Sequence, residues 1–151
     1  MADQTKSSIV INASPAAIMA VIADLPAYPE WSDGINEVTV ISVFEDDNRP
    51  ADARFNLASG AIKDVYELEY DWDGDRRVSW TLTKGDMLTA MDGAYELTDN
   101  GDGSTTVDYQ LAVDIKIPMI GMIKRKAEKV IVDTALKGLK KRVESLPTPP
   151  A

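Results

Sequence analysis

Residues 35–113 form a long stretch in which apolar and polar side chains alternate with a period of two. Its clearest segment, residues 65–72, reads Val-Tyr-Glu-Leu-Glu-Tyr-Asp-Trp. Alternation of this kind is typical of strands with one buried face and one wet face. Turn sequences such as Asp73-Gly74-Asp75 separate the alternating segments. We therefore predict six consecutive antiparallel strands, preceded by a short β-branched strand at residues 7–12.

A helix-start signal follows the first predicted strand. Ser14 is a favourable N-cap residue, and Pro15 fits the first helical position. Pro26 and Pro29 interrupt any longer helix, because proline lacks the backbone N–H that a helix interior requires. This segment predicts two short helices between the first strand and the alternating region.

The period becomes helical after Pro118, and residues 119–146 contain no proline. Charged residues such as Lys126 share one narrow face, whereas apolar residues, Val130 and Ile131 among them, spread over a much wider arc. A helix with so broad an apolar side is expected to be buried on most of its circumference. We predict that this long C-terminal helix covers the apolar face of the sheet.

Two residue types that carry much enzyme chemistry are absent, because the chain has no Cys and no His. Their absence excludes disulfides, thiolate nucleophiles, Cys/His zinc sites and Ser-His-Asp triads. The sequence also has no Gly-rich phosphate loop, dinucleotide fingerprint or complete calcium loop, so we expect no metal and no cofactor. With 16 basic and 25 acidic residues, the formal net charge of −9 argues against nucleic acid as a partner.

The 151 residues fit one domain spanning 1–151, with an ordered core at about 5–146. The N-terminus lacks the basic and apolar regions of a signal peptide. No apolar run approaches the roughly 20 residues of a membrane-spanning helix. We expect a cytoplasmic protein, and the sequence leaves monomer and dimer open.

Three sequence segments carry a family resemblance. They are Ile-Val-Ile-Asn-Ala-Ser-Pro at 9–15, Leu-Pro-Ala-Tyr-Pro-Glu-Trp at 25–31 and Met-Asp-Gly-Ala-Tyr-Glu-Leu at 91–97. With the order of predicted elements, they resemble the START-like (SRPBCC, helix-grip) superfamily, in its polyketide cyclase/dehydrase and coenzyme-Q-binding branch. The resemblance implies an α+β helix-grip (START/Bet v 1-like) fold. In that fold a curved antiparallel seven-stranded sheet wraps around a long C-terminal helix, with two short helices after strand 1.

The resemblance also implies a deep cavity between sheet and helix that holds one apolar small molecule. Six large aromatic residues with four tyrosine hydroxyls are difficult to satisfy in a dry core, which favours a cavity over plain packing. The predicted ligand-binding residues are the inward side chains of the strands and the helix: Phe55, Leu57, Tyr66, Leu68, Tyr70, Trp80, Leu82, Met91, Tyr95, Tyr109, Met119, Ile123, Ala127 and Ile131.

Three functions stay open at this point. The favoured one is a carrier, chaperone or sensor that binds one hydrophobic small molecule, such as a lipid, a quinone or a polyketide-like compound. The alternative is a polyketide cyclase/dehydrase or aromatase, in which Tyr66, Tyr70 and Tyr95 would polarise a carbonyl. We assign no catalytic residue, because no charged side chain is predicted inside the cavity. The third is an interaction protein with a filled core.

Charge is divided unevenly along the chain. Residues 1–115 carry 7 basic and 22 acidic residues, whereas residues 116–151 carry 9 basic and 3 acidic residues. A basic helix on an acidic body is suited to weak contact with an anionic membrane or an acidic partner. The plainer interpretation, which we favour from the sequence, is a solvated outer face.

Overall fold

The computed structural model describes residues 5–32, 34–59, 62–116 and 121–146, without the side chains of Ser59, Ile62 and residues 121–123. Within these residues the chain forms seven strands, two α-helices and a 3₁₀ segment at Leu25–Glu30. The strands are β1 (Thr5–Ile11), β2 (Ile35–Val43), β3 (Pro50–Ser59), β4 (Ile62–Asp73), β5 (Arg77–Lys84), β6 (Leu88–Asp99) and β7 (Thr105–Ile115). The helices are α1 (Pro15–Ala23) and α2 (Gly121–Ser145).

The strands form one antiparallel sheet in the order β1-β7-β6-β5-β4-β3-β2. Strands β2 to β7 follow one another as a meander, because short turns can join only neighbouring antiparallel strands. The first strand crosses to the far side and pairs with the last, with Thr5 opposite Leu111. The predicted seven-stranded helix-grip architecture is confirmed.

The connection after β1 forms as the sequence predicts. The Ser14 side chain accepts a hydrogen bond from the Ala17 N–H at 3.2 Å and caps α1, with Pro15 at its first position. The 3₁₀ segment begins at Leu25 and contains Pro29. The tighter 3₁₀ turn accommodates the prolines that a continuous α-helix would exclude.

Helix α2 lies closest to β1, β7 and α1. One stripe of the helix is buried there, formed by Glu128, Val132, Leu136, Leu139 and Val143. The prediction that α2 is buried on most of its circumference is wrong at two positions, since Val130 is 60% exposed and Ile131 is 46% exposed. The helix rests on its neighbours along a single narrow stripe, so apolar residues on its other sides stay in contact with solvent.

Candidate functional site

An aromatic belt crosses one face of the sheet. Successive residues of a strand point to opposite faces, so every second side chain of β3 to β7 contributes to it. Tyr95 and Tyr109 are cross-strand partners with ring centroids 4.5 Å apart, and Phe55 and Tyr66 are cross-strand partners stacked at 5.3 Å. The structure brings together all six predicted aromatic residues, each of them buried: Phe55, Tyr66, Tyr70, Trp80, Tyr95 and Tyr109.

Trp80 occupies the centre of the aromatic belt. Its ring centroid lies 6.0 Å from that of Tyr70, 5.5 Å from Tyr95 and 5.8 Å from Tyr109. The indole ring lies over Gly93, its cross-strand partner, where an added Cβ would come within 2.4 Å of the ring. Gly93 therefore provides the space that the indole occupies. A glycine inside an alternating strand is the sequence signal for such a close approach, and the sequence analysis missed it.

Tyr28 joins the aromatic belt from outside the sheet. It belongs to the 3₁₀ segment, and its ring centroid lies 6.3 Å from Phe55 and 4.9 Å from Trp31. Part of the residue is exposed, but its hydroxyl donates a 2.5 Å hydrogen bond to the Ile22 carbonyl. Tyr28 is not among the site residues predicted from the sequence, because its position depends on how the 3₁₀ segment packs against the sheet.

All five tyrosines of the chain therefore converge on one region. Burial raises the pKa of each hydroxyl above its ordinary value, because the charged phenolate would lose its hydration. Repulsion between neighbouring phenolates adds to the effect; for example, Tyr66 and Tyr109 raise the pKa of Tyr70 further. At neutral pH the site presents neutral hydroxyl groups, which can donate a hydrogen bond to a carbonyl.

The raised tyrosine pKa values predict a loss of stability in alkali. A hydroxyl whose pKa is higher in the folded state favours folding below pH 10, and this contribution disappears as the pH rises above 10. We expect native protein at pH 11 to show almost no tyrosinate absorbance, although a free tyrosine is about nine-tenths ionised there. Urea-unfolded protein at the same pH is the control. Tyrosines that ionise normally while circular dichroism remains native would contradict the geometry.

The hydroxyls differ in their partners. Among the five tyrosine hydroxyls, that of Tyr28 is the only one that makes a hydrogen bond within residues 5–32, 34–59, 62–116 and 121–146. Those of Tyr66, Tyr70, Tyr95 and Tyr109 find none among the described residues, although their side chains retain only 5–7% exposure. None of these four oxygens is among the fully buried, unpartnered side-chain polar atoms of the described residues, where the Trp31 Nε1 alone has that status. They are therefore able to hydrogen-bond with water or with a bound molecule.

The other predicted site residues vary in burial. Leu68 is buried, and Leu57, Leu82 and Met91 are half-buried against the same core. Ala127 is half-buried on α2, and Ile131 has the exposure given above. Met119 and the side chain of Ile123 lie outside the described residues. The assignment of all these residues to a ligand-binding surface stays a prediction.

The 3₁₀ segment also approaches α2. A Cβ on Gly138 would lie 3.1 Å from the Trp31 carbonyl oxygen, so the glycine permits close contact there. One turn further along, Arg142 forms a 3.1 Å ion pair with Glu30. The Trp31 Nε1 is buried and has no hydrogen-bond partner among the described residues. The 3₁₀ segment therefore connects the helix to the Phe55 side of the aromatic belt.

Two carboxylates are buried, and neither was predicted to be so from the sequence. Glu128 accepts 2.8 Å hydrogen bonds from the Thr5 hydroxyl and the Val113 N–H. The described pairing of β1 with β7 ends at Leu111, so no described residue of β1 lies opposite Val113. The Glu128 carboxylate accepts the hydrogen bond from the Val113 N–H that a longer β1 would accept. A single acid among the lysines of a helix gave no signal that it would be buried.

Asp64, on β4, has a comparable structural role. Its carboxylate accepts hydrogen bonds from the backbone N–H groups of Asp86, Met87 and Leu88, the last at 2.9 Å. These bonds hold the turn between β5 and β6. Both buried carboxylates therefore act as acceptors for protein donors, which occupies the groups that proton-transfer chemistry would need.

An open cleft of about 880 Å³ lies on the outside of the molecule, between α1 and the C-terminal end of α2. Small side chains such as Ala17 and Ala20 line it together with Val143 and Leu146. None of the predicted ligand-binding residues contributes to this cleft. The four tyrosines of the aromatic belt together with Tyr28, called the tyrosine cluster below, are therefore the candidate site, and the surface cleft is not.

Two kinds of feature are absent from the described part of the chain. It contains no group of three or more acidic side chains placed to hold a metal ion. None of its helices is both long enough and apolar enough to cross a membrane.

Solved structures with the same fold cover nearly the whole chain. A START superfamily protein from Mycobacterium smegmatis is 23% identical, with a TM-score of 0.88 over 96% of this chain and 99% of that one. The Zhui aromatase/cyclase from a Streptomyces species is 11% identical, with a TM-score of 0.75 over 93% of each chain. A Thermus thermophilus protein is 21% identical, with a TM-score of 0.75 over 94% of this chain and 97% of that one.

Sequence comparison extends beyond the fold. No curated protein matches the chain. A family model described as "Polyketide cyclase / dehydrase and lipid transport" matches residues 3–144. That match spans nearly all of the sequence and includes the strands, α1, the 3₁₀ segment and most of α2. The START superfamily protein therefore shows the fold of the chain, and the family model shows that the chain belongs to the polyketide cyclase / dehydrase and lipid transport family.

Proposed function

We propose that the protein binds one neutral, largely hydrophobic molecule between the aromatic belt and α2, as a carrier, chaperone or sensor. The observation that carries this proposal is the set of tyrosine hydroxyls without partners among the described residues, at Tyr66, Tyr70, Tyr95 and Tyr109. Hydroxyls in such positions are satisfied by bound water or by a ligand. The family description, which includes lipid transport, agrees with a carrier.

The chemistry of the site favours a particular kind of ligand. The aromatic rings supply apolar surface, and the hydroxyls remain neutral because burial raises their pKa. A neutral hydroxyl donates well to a carbonyl oxygen but does not neutralise a carboxylate. A quinone or polyketide-like compound, or a lipid with an uncharged polar group, meets both requirements. The cytoplasmic location and the monomeric or dimeric state stay predictions.

Binding without chemical change is favoured over catalysis. Cyclisation at carbon requires a group that removes a proton near neutral pH. The tyrosines are poor bases and weaker acids than usual, since burial raises the pKa of Tyr70 and Tyr95 well above the ordinary value. The carboxylates of Asp64 and Glu128 already accept backbone hydrogen bonds.

The second candidate function is that of a polyketide cyclase/dehydrase or aromatase. Similarity to the Zhui aromatase/cyclase favours it, as does the family description. In this case Tyr66, Tyr70 and Tyr95 would polarise a substrate carbonyl. Mass spectrometry coupled to chromatography, after incubation with a linear polyketide, separates the two candidates. Cyclisation alone gives an isomer of equal mass but different retention, and cyclisation with dehydration gives a product lighter by one water, whereas a carrier returns its ligand unchanged.

A double variant, Tyr70→Phe with Tyr95→Phe, tests the role of the hydroxyls. It keeps the rings and removes two donors. We expect the dissociation constant for a naphthoquinone to rise about tenfold, because each lost neutral hydrogen bond costs about 0.5–1.5 kcal/mol. Affinity for a hydrocarbon of the same size should stay within about twofold. Fluorescence titration of both ligands provides the measurement.

Tyr28→Phe is the matched control for that experiment. Its hydroxyl is engaged with the Ile22 carbonyl, so its removal should leave the preference for quinone over hydrocarbon unchanged. Equal weakening of both ligands in the double variant would refute a donor role for the hydroxyls. Native mass spectrometry of protein purified from its own host would identify the chemical class of a co-purified ligand.

A further inference from the structure

The outward face of α2 carries a cationic stripe formed by Lys126, Val130, Lys137 and Lys141. At 100° per residue these four positions fall within about 60° of one another. All four are exposed, and Val130 is the most exposed of the large apolar residues reported, at 60%. The stripe extends over 16 residues, from Lys126 to Lys141, or about 22 Å along the helix axis.

The acidic residues of α2 neutralise little of the charge of the cationic stripe, because each accepts hydrogen bonds from groups outside it. Glu128 is buried against β1 and β7. Asp133 accepts from Lys129 at 3.1 Å and from the Ser7 hydroxyl at 2.9 Å, and these bonds lower its pKa. Glu144 accepts from the Asn12 N–H at 3.0 Å and from Lys140 at 2.7 Å, which lowers its pKa as well.

The lysines of the stripe differ from the paired cations of the same helix. Lys124 forms a 2.7 Å ion pair with Asp114, and the Arg142 pair with Glu30 is described above. No ion pair within 4 Å involves a lysine of the cationic stripe in the described part of the chain. Lys137 is close enough to contribute to the lowered pKa of Asp133. The positive charge of the stripe is therefore largely available to an external partner.

The opposite side of the molecule is acidic. The solvent face of the sheet exposes carboxylates on its central strands: Glu69, Asp71, Asp92, Glu96 and Asp108. An anionic surface repels this face and attracts α2, so the molecule has a preferred orientation despite its net charge of −9. Salt screens the repulsion from distant carboxylates more strongly than the attraction of lysines in direct contact.

We propose that the cationic stripe docks the protein on a membrane surface that contains anionic phospholipids. Lysines in contact with lipid phosphates supply the attraction. Val130 lies between them and is exposed, so apolar contact with the lipid interface accompanies the charge. An acidic protein would bind through the lysines alone. The exposed Val130 within the stripe therefore favours a lipid surface over an acidic protein as the partner. This docking surface lies outside the tyrosine site and does not depend on a ligand there.

Co-sedimentation with vesicles tests the proposal. The vesicles contain two parts phosphatidylcholine to one part phosphatidylglycerol, with pure phosphatidylcholine for comparison. We expect wild-type protein to bind the anionic vesicles and to dissociate as salt is raised. The triple variant Lys126→Gln, Lys137→Gln, Lys141→Gln should weaken partitioning onto the anionic vesicles roughly a hundredfold, since each lysine near the surface contributes about fivefold to the partition coefficient.

The matched control removes three exposed lysines from the sheet side, as Lys6→Gln, Lys63→Gln and Lys84→Gln. It changes net charge by the same amount and should retain vesicle binding. Equal loss in both triple variants, or no binding by wild-type protein, would overturn the proposal. Val130→Ser should weaken vesicle binding several-fold. Binding to soluble polyglutamate as tight as that to vesicles, together with no effect of Val130→Ser, would favour an acidic protein instead and also overturn it.

Discussion

Replacing Gly93 with alanine is expected to destabilise the protein by about 3 kcal/mol, the upper end of the usual range for an overpacked core. The added Cβ would come within 2.4 Å of the Trp80 indole, and Tyr95 and Tyr109 leave that ring little room to retreat. The sign of the change in unfolding free energy is informative. A glycine inside a strand usually weakens it, so alanine there would ordinarily stabilise by several tenths of a kcal/mol. The midpoint of urea unfolding measures the change.

A double-mutant cycle shows whether the indole ring causes the loss. In a Trp80→Leu background the ring is absent, so Gly93→Ala should cost far less than it does in the wild-type protein. A stabilising effect of Gly93→Ala alone would show that the indole does not lie over residue 93. The same cycle, measured by quinone affinity, reports whether displacement of Trp80 disturbs the tyrosine site.

Replacing Glu128 with alanine has the second large expected effect, a loss of about 3 kcal/mol. The Val113 N–H would be left buried without an acceptor, and the Thr5 hydroxyl would lose its partner. Each unsatisfied buried donor costs about 1–3 kcal/mol. Urea unfolding gives the magnitude, and amide hydrogen exchange at Val113 should accelerate selectively.

Two further variants make this result specific to Glu128. Glu128→Gln keeps one acceptor oxygen, so it should lose less stability than the alanine variant. Asp133→Asn changes a half-buried acid on the same helix and should cost under about 1 kcal/mol. If Glu128→Ala unfolds at the same urea concentration as wild-type protein, the carboxylate does not support the edge of the sheet.

The sequence predicted the strands and the inward aromatic residues well, because both follow from a local rule. With a period of two, residues 66, 70, 80, 95 and 109 must share a face once their strands pair in register. The capped start of α1 at Ser14 is equally local. These predictions require no knowledge of which element covers the sheet.

The features that the sequence did not predict depend on long-range packing. Helical periodicity cannot tell which side of a wide apolar arc meets another element, so Val130 and Ile131 were expected to be buried and are exposed. Tyr28 reaches the tyrosine cluster only through the fold of the 3₁₀ segment. Glu128 is buried because β1 leaves Val113 without an acceptor, which is visible only when strand register is known.

The pairing of the first strand with the last has a consequence for synthesis on the ribosome. β2 to β7 can assemble in the order in which they emerge, but β1 must wait for β7, and the contact of Thr5 with Glu128 spans 123 positions of sequence. Such distant contacts make folding slow. The nascent sheet therefore presents its aromatic side uncovered until β7 and α2 have been synthesised, and this exposed apolar surface favours aggregation during that interval.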